Sequence, residues 1–303
     1  MTDALLDRVR HCTLAHADRH GVARTAIPGL STISATAPGE LLYDISCPML
    51  VLLLQGTKQV TFGSQVARFG AGQSLLITAD VPTTSQITGA NARAPYYSFV
   101  LHLDPSIITS LVGEMEAVAQ EGPSTSPLQV DATDAEVADC ALRLMQLLER
   151  PRSLPILRDG LLREMHHWLL AGRHGAAIRA LGAVNGHAAR IGRAVALIRA
   201  QYTQPLQMAQ LAEAAGMSLS TFHAHFRAVT SLTPLQFQKQ LRLVEARRLM
   251  RNDGAMAKRA AHAVGYESVT QFTREYGRLF GRSPLRDARG PAAAADYAAG
   301  TSS

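Results

Sequence analysis

The chain has 303 residues, 47% hydrophobic and 18% charged, with a net charge of +6. That length predicts about two folded domains, and the composition excludes a chain disordered throughout. The longest aliphatic run, Met49–Leu54, is far short of the roughly 20 residues a membrane-spanning helix needs, and the charged first 24 residues contain no apolar core of a secretory signal.

Residues 1–20 read as a short helix with Leu5, Leu6, Val9, Cys12 and Leu14 on or near one side. From about residue 30 to 103 the texture becomes β-like. Apolar runs at Met49–Leu54, Thr57–Phe62, Val66–Phe69, Ser74–Thr78, Ser85–Thr88 and Tyr96–Leu103 are separated by glycine-rich turns, which predicts a β-sandwich or barrel. Asp104-Pro105 opens a helix to about Gln120, because aspartate caps and proline tolerates the first turn. Gly122–Pro127 reads as a loop. Ala135–Glu149 and Pro155–Leu170 keep helical spacing through Leu142, Met145, Leu148 and Leu157, Leu161, Met165, Trp168. They can pack as a hairpin or as a dimer seam. Residues 172–188 read as a linker, and the Ala/Gly/Ser-rich stretch 291–303 as a flexible tail.

Charge is divided unevenly. Residues 187–290 carry +10 and residues 1–186 carry −3. A basic third points to a polyanion partner for that third, or to a solvated basic surface. The same third contains an internal repeat. Gly216 and Gly265 are 49 apart, while Phe222/Phe272, Phe226/Tyr276 and Pro234/Pro284 are each 50 apart. A fixed period means one supersecondary unit used twice. In each copy a small apolar helix ends at a glycine, and a second helix follows, anchored by two aromatics four apart. This is a helix-turn-helix, whose second helix enters the major groove. The faces opposite the anchors are Ser220, His223, Ala224 and Arg227 in the first unit, and Val269, Thr270, Gln271 and Arg274 in the second.

These stretches, LAEAAGMSLSTFHAHFRAVTSLTPLQFQKQLRLVEARRLM and AHAVGYESVTQFTREYGRLFGRSPLRD, resemble the DNA-binding domain of AraC/XylS-type bacterial transcriptional regulators. LVLLLQGTKQV, LLITADVPTTSQ and PYYSFVLHLD resemble the N-terminal domain of one branch of that family. The resemblance implies an α+β multidomain protein: a cupin-like effector-binding or dimerisation domain with flanking helices (1–171), the linker, and an all-α DNA-binding domain (189–290). The two helix-turn-helix units are at 206–229 and 257–280, joined by a helix from Pro234 to about Asn252. The resemblance assigns base reading to Ser220, His223, Ala224, Val269, Thr270, Gln271 and Arg274. It leaves Arg227, Arg278 and the joining-helix arginines Arg242, Arg247, Arg248 and Arg251 for phosphates. Gln271 suits adenine and Arg274 suits guanine. Ala224 is shorter than the family's usual residue. Ser231 replaces a usual glycine after the first recognition helix, which predicts a strained turn. The implied partners are double-stranded promoter DNA, a small-molecule effector, RNA polymerase and a second copy of the chain. The expected setting is the cytoplasm, at the nucleoid, with no cofactor.

Other signals carry less. His223 and His225 are two apart on a helix and point apart, so they do not chelate, and His166-His167 fails likewise. His102 is the one histidine among residues 40–103, which offers too few ligands for a metal-dependent cupin enzyme with an appended DNA-binding domain, the alternative reading. Cys12, Cys47 and Cys140 are too few for a disulfide framework or a four-cysteine methyl-acceptor site. Cys47, with no base adjacent in sequence, and Cys140, among Ala and Leu, read as buried small hydrophobes. No residue of the chain is singled out for the effector.

Overall fold

Alternation along Met49–Leu54 sets the layering of the N-terminal half. Leu50, Leu52 and Leu54 face helices, whereas Met49, Val51 and Leu53 face a second sheet, so the strand is buried on both sides and reads as an unbroken apolar run. The computed structural model describes residues 2–115, 127–182 and 186–288. The helix expected to reach Gln120 ends at Glu114, with Met115 extended; residues 116–120, most of the loop at 122–127, residues 183–185 and the tail 291–303 lie outside the described residues.

The strands are β1 (Val22–Arg24), β2 (Leu30–Ala35), β3 (Leu42–Ser46), β4 (Met49–Gln55), β5 (Thr57–Phe62), β6 (Gln65–Gly70), β7 (Gln73–Ile77), β8 (Val81–Gly89), β9 (Tyr96–His102) and β10 (Leu128–Ala132). They form two antiparallel sheets, ordered β1-β2-β9-β4-β7-β10 and β3-β8-β5-β6. One apolar core lies between the sheets. A second lies between the larger sheet and α1 (Thr2–His16), α2 (Pro105–Glu114), α3 (Ala135–Leu147), α4 (Leu154–Ala171) and α5 (Gly175–Gly182).

Three expectations are corrected here. Strands β1, β2, β3 and β10 lack the apolar runs of their neighbours and were not anticipated, and β8 begins earlier than expected because Pro82, which reads as a break, lies one residue inside it. Leu14 is 77% exposed; the buried side of α1 is Leu5, Val9 and Thr13. The stretch expected as a linker, 172–188, contains α5, which buries Ala177 and Ile178. Its glycines serve packing, since a Cβ at Gly182 would lie 2.6 Å from Ile108 Cγ2.

The C-terminal half is helical: α6 (His187–Ala200), α7 (Met208–Ala214), α8 (Leu219–Thr230), α9 (Pro234–Arg251), α10 (Ala257–Ala263), α11 (Val269–Phe280) and α12 (Pro284–Ala288). It has two cores, one around Phe222, Phe226 and Phe237 and one around Phe272, Tyr276 and Phe280, with α9 contributing to both. A Thr233 capping box and Pro234 start α9.

Candidate nucleic-acid interface and effector cavity

The two sequence repeats fold into the same unit. In the first, α7 ends at Gly216 with φ +60°, and the Ser218 side chain caps α8 by accepting from Thr221 N–H at 3.3 Å. In the second, α10 ends at Gly265 with φ +87°, and Ser268 caps α11 by accepting from Gln271 N–H at 3.2 Å. Arginines lock both turns. Arg190 donates to the carbonyls of Ala215 and Gly216, and Arg242 donates to that of Gly265. The anchors Phe222, Phe226, Phe272 and Tyr276 are fully buried, so the opposite faces are turned out. The helix after each unit also starts alike, past a left-handed residue. That residue is Gly281 at φ +69° in the second unit and Ser231 at +61° in the first, the one non-glycine residue with positive φ among those described.

Ser220, His223, Ala224, Arg227, Thr270, Gln271, Arg274 and Arg278 are exposed on these faces. Val269 is half-buried against the second core. Gln271 Nε2 lies 3.3 Å from Glu275 Oε1, and Glu275 in turn accepts from Tyr266 and pairs with Lys239. His223 is exposed, whereas the His225 ring stacks on His187 at 3.7 Å, so the two histidines do point apart.

The joining-helix arginines meet partners within the protein. Arg242 donates to the carbonyls of Tyr202 (2.6 Å), Gly265 (2.9 Å) and Gln204 (3.1 Å), so its guanidinium is spent inside the domain. Arg247 is buried and grips Asp287 at 2.7 and 3.2 Å, and Tyr276 donates to the same carboxylate at 2.6 Å. Burial works against the Asp287 charge, but Arg247 and Tyr276 hold its carboxyl below the usual range. Arg251 is buried beside Glu40 at 3.2 Å, and Arg248 is taken up by Glu245 at 2.7 Å and Asp253 at 3.5 Å. A polar side of α9 is legible in sequence, but not which arginines face the neighbouring carboxylates and carbonyls.

Between the sheets lies a cavity of about 650 Å³. Its apolar walls include Val22, Ile33, Val51, Val60, Leu75 and Ile77, and its polar groups include Lys58, Asp44, Thr83 and Ser85. Burial lowers the Lys58 ammonium to a pKa of about 8, partly offset by Asp44. Burial pushes the Asp44 carboxyl up, against the pull of Arg199 and Lys58. These two charged residues were missed. A signal existed: Lys58 alternates with Val60 and Phe62 and so occupies an inward position on β5.

Cys47 is not without a base. His102 Nδ1 lies 3.1 Å from its sulfur, brought there by the register that sets Met49 opposite His102. Burial nonetheless pushes the Cys47 thiol up to about 12 and does the same for Cys140, which keeps both as thiols. His166 is buried, its Nδ1–H donating to Leu162 O and its Nε2 accepting from Asp104 N–H, the donor-acceptor pattern of a neutral ring. Among the described residues, no three His, Cys, Asp or Glu come together as a metal-binding group, and no helix is long and apolar enough to cross a membrane.

Residues 26–177 match the family profile of the AraC-type transcriptional regulator N-terminus, and residues 211–289 match a helix-turn-helix domain. The chain belongs to the AraC-type transcriptional regulators. The regulator is 29% identical over 96 residues to the HTH-type transcriptional activator RhaS of Escherichia fergusonii, covering 32% of this chain and 34% of that protein. It is 33% identical over 94 residues to the HTH-type transcriptional regulator AlkR of Acinetobacter baylyi, covering 31% of each. The matched stretch thus spans about a third of the curated relatives' length. Its fold is similar to that of an apo ToxT variant from Vibrio cholerae, with a TM-score of 0.58 at 9% identity over 88% of this chain and 98% of that one. It is also similar to ToxT bound to an unsaturated fatty acid, with a TM-score of 0.57 at 10% identity over 86% and 94%. The regulator therefore has the two-part architecture expected from its sequence, a β-domain with flanking helices followed by an all-α domain with two helix-turn-helix units.

Proposed function

We propose that the regulator binds promoter DNA sequence-specifically through α8 and α11 and responds to a small amphipathic carboxylate held between the sheets. The observation that carries the reading is the presence in one chain of two capped recognition helices with outward polar faces and of a cavity between the sheets with one lysine among apolar walls. Phosphate-binding arginines orient a duplex, and Arg, Gln and Ser side chains in the major groove read it. In this reading Ser220, His223, Ala224, Val269, Thr270, Gln271 and Arg274 face bases, while Arg227 and Arg278 face phosphates. The cavity lies within the range of small-molecule sites, and Lys58 supplies the charge complementary to a carboxylate whose chain lies along Val51, Val60 and Ile77. The fatty acid bound by ToxT supports that ligand class.

The functional boundary falls within 172–188, with α5 on the N-terminal side. The effector-binding part is 1–171 with α5 packed onto it, and the DNA-binding part is 189–290. Ile156 and Leu157, 78% and 50% exposed on α4, offer a second copy an apolar seat, and RNA polymerase is the further partner of a promoter-bound regulator. Promoter DNA as the target places its action in the cytoplasm, at the nucleoid, and the reading requires no catalytic step.

Selection from a random duplex library by the full-length protein tests the DNA reading. Enrichment of two half-elements about one helical turn apart is expected. Weak, steeply salt-dependent binding with no enrichment would contradict it. Decanoate, as probe of the cavity, is expected to raise the melting temperature, since a ligand of the native state stabilises it.

A further inference from the structure

β3 pairs with β8 and is the edge strand of its sheet; the C-terminal domain covers its other side. Ile45, 1% exposed, sits in the core of the first helix-turn-helix unit with Phe222 and Phe226. Tyr43, two residues earlier, packs with the second unit: its ring meets Phe280 edge-on at 5.0 Å, with the Arg247 guanidinium 5.6 Å from its centre. Polar ties follow the same division. From α6, which packs in the first core, Arg199 donates to Ile45 O at 2.8 Å and pairs with Asp80 at 2.8 Å. Around the second, Arg251 at the end of α9 and Arg282 just after α11 reach Glu40 at 3.2 and 3.7 Å.

Both recognition helices end against the β-domain. Val229, near the end of α8, packs on the inter-sheet core, and Phe280 closes α11. The same strand walls the cavity through Leu42, Asp44 and Ser46, and Tyr43 reaches the cavity as well. α9, which contributes to both cores, also joins the two units, as do Arg242 and Tyr202, which packs on the second core. A strand that plugs both cores about 7 Å apart adds a further tether.

We propose that β3 is a brace that determines DNA spacing: Tyr43 and Ile45 hold the two helix-turn-helix units at one mutual orientation, and an occupant of the cavity resets that orientation through Leu42 and Asp44. The second clause rests on the cavity being the effector site; the first does not. Tyr43 and Ile45 are therefore positioning residues for half-element spacing, touching no base themselves.

The test uses the full chain and DNA carrying the two selected half-elements with spacers varied base pair by base pair. Wild type is expected to prefer one spacer by about tenfold. Ile45→Ser and Tyr43→Ser are each expected to flatten that preference to within about threefold while leaving affinity for a single half-element unchanged. An undiminished spacer preference in folded variants overturns the brace. A cross-link guards against variants that fail to fold. A Cβ at Gly63 lies 3.8 Å from Ser231 Cβ, the separation of a disulfide, so Gly63→Cys with Ser231→Cys should close on oxidation, with each single variant as control. The closed form should restore spacing to Ile45→Ser, whose lost contact is with the first unit, the one that Ser231 ends; closure without restoration overturns the proposal. Decanoate that raises the melting temperature should also change the rate of closure severalfold. Stabilisation with an unchanged rate defeats the coupling and spares the ligand reading. No stabilisation defeats the ligand class, and the spacer experiment still decides the brace.

Discussion

Arg274 and Ala224 occupy equivalent places in the two repeats, 50 residues apart and both exposed. The second unit therefore carries a long bidentate donor where the first carries a methyl group. Arg274→Ala should cost about 1–3 kcal/mol on the selected site and relax one base position, measured by competition with single-base variants. Arg227→Ala should instead weaken all sequences alike and reduce the salt slope by about one ion, measured by titrating salt. Lys58 makes a prediction about stability. Its folded pKa of about 8 lies below the ordinary lysine value. From pH 8 to about 10.4 the unfolded chain thus holds a proton the folded chain has released, and stability from this group rises with pH. The cost of burying the charge is fully present below pH 8. Lys58→Met should stabilise the ligand-free protein at pH 7 by roughly 1–2 kcal/mol, with the gain shrinking toward pH 10 in denaturant titrations, and it should weaken decanoate binding at pH 7.

At the scale of elements, the two turns look interchangeable in sequence but are packed differently. A Cβ on Gly216 would meet only Arg190 Nη2 at 3.6 Å, whereas one on Gly265 would lie 2.3 Å from Thr203 O. Gly216→Ala should cost about 1 kcal/mol for the positive φ alone. Gly265→Ala should cost on the order of 3 kcal/mol or more, because backbone must move as well; comparing their denaturant midpoints checks the difference. The repeat suggests the converse change. Ser231→Gly gives the first unit what Gly281 gives the second, and should raise stability by about 0.5–1 kcal/mol in thermal unfolding. The strain expected at Ser231 from the sequence is present at φ +61°. The glycines of α5 show the opposite case. Gly175 and Gly182 suggested a linker, because composition cannot tell a glycine that frees the chain from one that lets two helices touch.

Across the whole molecule, both helical cores are made within residues 191–288 except for two intruders, Ile45 and Tyr43. The fragment 188–290 should therefore fold and bind a single half-element, detected by circular dichroism and mobility shift, while losing the spacing preference of the full chain. A fragment that stays unfolded would place the boundary wrongly and make the β-domain part of the helical core.

The sequence alone determined the repeats, their turns and, Val269 aside, their exposed faces. Each helix-turn-helix is built from contacts a few residues apart, such as Phe222 with Phe226 and Ser218 with Thr221, so its pattern is written locally. The layering of β4 was nearly as legible, since burial on both faces requires an unbroken apolar run. Tertiary structure decided the rest. Which arginines of α9 are free depends on Asp287 and Glu40, 36 or more residues away in the chain. Cys47 meets His102 only through the pairing of β4 with β9. The cavity and the brace depend on β3, whose short sequence becomes the edge of one sheet, the wall of a cavity and the plug of two helical cores. Strand partners are chosen by register between distant segments, and that choice leaves little trace in the residues of any single strand.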